Sequence, residues 1–214
     1  MHIPDGILPA PVCVAGYAIA GGVTWLALKR INQTVDPQAE VPKAALLAAA
    51  FFVGSSISLP VPPASVHLVL NGLLGALLGW YAWLAILIGL LLQAILLGHG
   101  GLTTLGVDAV MMGVPALIAA RVFQLRHRLG KPLSPKRSLA VFSFLAGAIG
   151  VGLAALIFFT LIIFTLPSTL DRSAEQGFLT ALMVAHIPLI FLEGVFTTLL
   201  CFFLLRIKPE LLES

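Results

Sequence analysis

Residues 139–166 read LAVFSFLAGAIGVGLAALIFFTLIIFTL, without a single charged side chain. About 20 apolar residues are enough for a helix to cross the hydrocarbon of a bilayer, so this stretch predicts a membrane-spanning helix. It lacks the apolar/polar alternation of a barrel strand. Six further apolar runs accompany it, at about 8–28, 44–59, 67–78, 80–97, 105–123 and 178–205. The third is short and meets the fourth at Gly79-Trp80, which leaves open a tight hairpin or a broken pair. The expected fold is an all-α polytopic membrane protein, a seven-transmembrane-helix bundle. Residues 1–214 then form one transmembrane domain: a tip at 1–7, a bundle at about 8–206 and a tail at 207–214.

The whole chain agrees with this reading. Of its 214 residues, 59% are hydrophobic and 10% charged, whereas a soluble domain carries about 25% charged residues. Its mean hydropathy of +1.07 excludes disorder. No length is left over for a soluble catalytic domain, and no GxxxxGK[ST] phosphate loop occurs. Any ATP-driven step must come from another chain. Cys13 and Cys201 lie far apart in apolar runs and read as small hydrophobes, not as a disulfide or metal pair.

The charges are sided. Lys29, Arg30 and Lys43 lie between the first two runs. Arg121, Arg126, Arg128, Lys131, Lys136 and Arg137 lie between the fifth and sixth, and Arg206 and Lys208 follow the seventh. With seven crossings, eleven of the twelve basic residues fall on one face and only Arg172 on the other. The positive-inside rule makes the basic face cytoplasmic. That puts the N-terminus outside and the C-terminus in the cytoplasm. These basic residues read as topology determinants that also touch anionic membrane lipid; no nucleic-acid partner is expected. Within the first run, Gly16 and Ala20, and likewise Ala18 and Gly22, are four apart. Such small-residue faces serve either close packing inside the bundle or docking of another subunit.

The opening Met1-His2-Ile3-Pro4-Asp5-Gly6 has no positive n-region, so it is not read as a signal peptide. His2 is too bulky for efficient removal of the initiator methionine, and Met1 is expected to remain. The Met1 amine, the His2 amide and His2 Nδ1 then close a five- and a six-membered chelate ring, three nitrogens in one plane. A fourth nitrogen would complete a square-planar set suited to Ni(II) or Cu(II). A histidine near an amino terminus is ordinarily incidental; a second one within reach changes that. His67 is this second histidine, expected to open the third helix on the outer face with Asn71 at i+4 to orient it.

Other polar groups stand out against the apolar background. His99, in an outer Gly-His-Gly-Gly loop, is a spare ligand, a donor on the ion's path inward, or a solvated loop residue. His127 sits among arginines and reads as surface. His186 and Glu193 lie seven apart on one face of the last run, where ionisable groups are costly. They read as a metal path, as supports for ligands, or as a structural hydrogen bond across the bundle. Asp108 sits near the outer end of the fifth helix, with Thr103 and Thr104 as expected caps. Asp5 belongs to the tip and joins the supporting candidates.

Three stretches carry a resemblance: Met1-His-Ile-Pro-Asp-Gly6, GGLTTLG at 100–106 and AHIPLIFLEG at 185–194. The chain resembles the CbiM/NikM family, the substrate-binding membrane subunits of energy-coupling-factor (ECF) transporters for cobalt or nickel. The resemblance implies a first helix carrying a metal-binding tip outside, with metal held by the Met1 amine, the His2 amide and ring, and His67. It implies partners: a transmembrane coupling subunit, two cytoplasmic ATPase subunits and often a small accessory membrane subunit. It departs from the family at His99, where members often carry Asp, and at Asp108, where they often carry Asn. The expected function is capture of Co2+ or Ni2+ as transported ligand, in a prokaryotic plasma membrane, by a transporter subunit that is not an enzyme and has no resident cofactor. The other classes are an intramembrane metalloenzyme using His186 and Glu193, and a structural membrane subunit with no ligand.

Overall fold

The computed structural model describes residues 2–61, 64–130, 132–165 and 172–212. Seven α-helices account for the apolar runs: α1 (Ala10–Ile31), α2 (Val41–Gly54), α3 (Asn71–Leu78), α4 (Tyr81–Leu92), α5 (Leu105–Gln124), α6 (Pro135–Thr165) and α7 (Arg172–Ile207). A wider helical turn, Gln93–Leu97, extends α4. Among the described residues, four helical segments are long and apolar enough to cross a membrane: Ala10–Ile31, Leu105–His127, Pro135–Thr165 and Thr180–Ile207. The helix expected from residue 178 begins at Arg172, and Pro188 does not end it.

The third run departs from expectation. Residues 44–59 do not stay helical to the end, and His67 does not open a helix. Instead Ser58–Val61 (β1) and Ala64–His67 (β2) pair antiparallel, with Ser58 opposite His67. The physical cause is in the sequence: Pro60, Pro62 and Pro63 cannot continue a helix interior. What remains helical, α3, has 8 residues. At 1.5 Å per residue that is about 12 Å, too short to cross a bilayer.

A short helix inside an apolar bundle leaves backbone N–H groups without partners, and these must be satisfied by protein. Leu70, just before α3, takes the left-handed φ of +55°, uncommon for a residue with a side chain. Val69 N–H and Leu70 N–H then both donate to the Glu193 carboxylate of α7, at 2.5 and 3.0 Å. All eight residues of α3 are buried. Gly72 lets α3 approach the backbone of α6 at Ala146 and Gly147, and Gly75 lets it approach α5 at Ala116; a side chain at either would clash.

The small residues of α1 serve two faces. Gly16 and Ala20 are buried, and Gly16 packs on Val107 of α5. Ala18 and Gly22 are exposed, with open space around Gly22. Trp83 of α4 donates to Thr24 of α1 at 2.8 Å. Gln93 is buried and ties the end of α4 to Ser55 beyond α2. The basic segments are drawn together at one end: Tyr81 donates to Pro37 O, Arg121 lies over Trp80, and Arg126 donates to Leu212 O. The other end receives the chain's amino-terminal tip.

Candidate metal centre

The tip is held by backbone groups as much as by side chains. Ile3 is 1% exposed. Its N–H faces the Asp108 carboxylate, 3.3 Å from each oxygen, and its carbonyl accepts the Thr104 hydroxyl at 2.5 Å. Two residues on, the Asp5 carboxylate accepts Leu102 N–H at 3.2 Å, Thr103 N–H at 2.8 Å and the Thr103 hydroxyl at 2.5 Å. The Thr103 hydroxyl and backbone hydrogen bonds hold the Asp5 carboxyl below its usual range. Gly101 leaves room for Asp5 where a side chain would strike it, and Gly100 turns the loop at φ +81°. Thr103 and Thr104 are therefore not the helix caps expected of them: no side chain caps α5, and both hydroxyls bind the tip.

This anchoring brings His2 beside His67. Their rings stack with centroids 5.0 Å apart and planes 11° from parallel. His99 stacks on His2 at 6.2 Å and 18°. Both ring nitrogens of His2 are buried and meet no hydrogen-bond partner among the described residues. Buried polar atoms rarely stay unpaired, and each such case calls for an explanation. Burial, then neighbouring positive charge, lowers His2 to about 2 and His67 to about 3, so both imidazoles are neutral at any ordinary pH, the form that binds metal. His67 Nδ1 lies 3.3 Å from Leu68 O. A proton there donates to that carbonyl and leaves Nε2 with its lone pair.

Met1 lies outside the described residues. Among those described, no three His, Cys, Asp or Glu side chains converge to enclose an ion.

The other candidates have different occupations. Asn71 does not face His67, because His67 ends a strand. Its side-chain amide donates to Met112 O at 3.1 Å and Gly150 O at 3.0 Å, joining α3 to α5 and α6. Asp108 holds Ile3, and Glu193 holds the start of α3. His186 is buried against the edge of Phe159, with Nδ1 2.8 Å from Leu182 O. His99 and His127 are exposed. Sequence reasoning did not foresee Ile3, Thr103, Thr104 and Gly101 as the seat of the tip. The only signal was the 100–106 stretch, because the bonded pairs lie about a hundred positions apart, as with Ile3 and Asp108.

Residues 2–211 match the family model described as the CbiM cobalt uptake substrate-specific transmembrane region. The chain belongs to the CbiM family. Among CbiM-like relatives, a Haemophilus influenzae chain named as a metal transport protein is 38% identical, over all of this chain and 97% of its own length. The Sorangium cellulosum cobalt transport protein CbiM is 33% identical over all of this chain and 95% of its own length. The fused nickel transport protein NikMN of Rhodobacter capsulatus is 34% identical over 73% of this chain and 45% of its own length. A crystal structure of a truncated transition metal transporter superposes with a TM-score of 0.78 at 27% identity, covering 96% of this chain and 99% of that one. CbiM membership and the four long apolar helices make this a multi-pass membrane protein of a cobalt and nickel transport family. These relatives are named as metal, cobalt and nickel transport proteins.

Proposed function

We propose that this chain is the substrate-specific subunit of an ECF-type transporter, and that it captures Co2+ or Ni2+ at the outer face of a prokaryotic plasma membrane. The observation that carries the reading is the burial of both His2 ring nitrogens, without partners among the described residues, against the ring of His67. In this reading the Met1 amine, the His2 amide nitrogen, a His2 ring nitrogen and a His67 ring nitrogen make a planar set. That set disfavours Mg2+ and Ca2+, which want oxygen, and Zn2+, which wants a tetrahedron. Cu2+ binds nitrogen at least as well, so metal supply helps decide the cargo.

Binding displaces protons from the amine and the amide, and the lost amide proton leaves a negative charge that matches a divalent ion. The chain carries no phosphate-binding loop, so ATP hydrolysis falls to partners: a membrane coupling subunit, two cytoplasmic ATPase subunits and a small accessory membrane subunit. A fused CbiMQ relative in Methanocorpusculum labreanum supports partner modules of this kind. The N-terminus lies outside and the C-terminus inside, as the basic end requires.

The test is Ni2+ and Co2+ titration of the purified chain with its native amino terminus, followed by absorption. His2→Ala, His67→Ala and one residue inserted before Met1 should each abolish binding with the fold intact. Undiminished affinity in all three removes the proposal. Absence of any metal binding by the unaltered chain points to a structural subunit.

A further inference from the structure

The ring nitrogens of His2 have no exposed surface, so an ion arriving in water cannot meet them first. Beside them stands an imidazole that water does reach. His99 is exposed, in a loop bent by left-handed glycines at Gly98 (φ +63°) and Gly100 (φ +81°). Its backbone N–H donates to Gln93 O at 3.1 Å, which fixes the main chain of the loop at this residue. That ring lies 6.2 Å from His2, and His2 lies 5.0 Å from His67.

We infer that His99 is the first-contact ligand for the transported ion, which it takes from water and passes inward to His2. The inference rests on the capture role proposed above. Metal–nitrogen bonds are about 2 Å long, so two imidazoles on one ion have centroids no more than about 6 Å apart. The His2–His99 spacing sits at that limit. The rings are stacked, so one ion bonds both only once side-chain rotation turns a nitrogen of each toward the other.

The transfer is ligand exchange, with no change in oxidation state. A nitrogen lone pair of His99 replaces one water on the divalent ion. A His2 nitrogen then replaces a second, and the His99 bond breaks as the main-chain nitrogens shed their protons to water and complete the inner set. An imidazole nitrogen at the point of first contact also selects. Mg2+ and Ca2+ favour oxygen donors and pass it by, whereas Co2+ and Ni2+ bind imidazole.

A relay changes rates in both directions and leaves the equilibrium alone. The experiment is stopped-flow mixing of Ni2+ with the purified full-length chain, compared with His99→Ala and His99→Gln. Association and dissociation should both slow by about tenfold, in both variants, with the final absorption spectrum and affinity unchanged. Unaltered rates overturn the inference. So does a changed spectrum or affinity, which makes His99 a resident ligand, or rescue by Gln, which makes its role steric. If the unaltered chain shows no His2-dependent Ni2+ binding, the capture role falls as well. If it binds and only the His99 variants are silent, the relay alone falls.

Discussion

Burial keeps His2 neutral down to about 2 and His67 down to about 3, against 6.5 for the free side chain. A tip released from its seat regains the ordinary value. Seating therefore has its full strength above pH 6.5, where both states are neutral. It weakens as pH falls below that, because only the released tip takes up protons. The expected outcome in the metal-free chain is loss of hydrogen-exchange protection at the Ile3 amide between pH 7 and pH 5, after correction for intrinsic exchange. Protection that is flat across this range counts against the burial of these imidazoles. The same residues explain why Asp108 is no obvious ligand: its two oxygens face the Ile3 N–H.

Element by element, α3 is where sequence and structure part. Its 8 residues start from a left-handed Leu70, and the orphan N–H groups there find an acceptor on α7 rather than a cap of their own. Glu193 thus joins the hairpin that carries His67 to the longest helix of the bundle. Glu193→Ala leaves two buried N–H groups unsatisfied and should cost on the order of 1–3 kcal/mol each. Glu193→Gln keeps an acceptor oxygen and should retain most of the stability. Thermal unfolding in detergent separates the two, and equal melting temperatures for Ala and Gln sink the assignment. An enzyme using Glu193 as its acid would lose activity equally in both variants, since neither Gln nor Ala can donate a carboxylic proton.

Across the whole molecule, the two ends differ in character. One gathers the basic loops and the final turn, where Arg126 reaches Leu212; the other seats the tip and the 98–104 loop. In the proposed orientation the first faces the cytoplasm. Leu102 and Leu129 are exposed at opposite ends, at 51% and 63%. In whole cells, Leu102→Cys should react with an impermeant maleimide, and Leu129→Cys only after permeabilisation. The reverse pattern inverts the topology and places the candidate metal centre on the wrong face for uptake.

The apolar runs determined the helical, membrane-embedded class by themselves, because hydrocarbon demands long uncharged segments whose backbone is satisfied internally. The amino-terminal position of His2, with its amine–amide–imidazole chelate, singled that residue out, and His67 as a second histidine on the same face. Helix number was legible, but the third run, expected from 67, is helical only from Asn71, because His67 ends the second strand of a hairpin. Which polar residues serve the ion and which serve the fold was not legible. Asn71, Asp108, Thr104 and Glu193 all satisfy backbone groups far away along the chain. Only the tertiary structure decides such pairings, since a buried polar group is claimed by whatever unsatisfied partner the packing brings within about 3 Å.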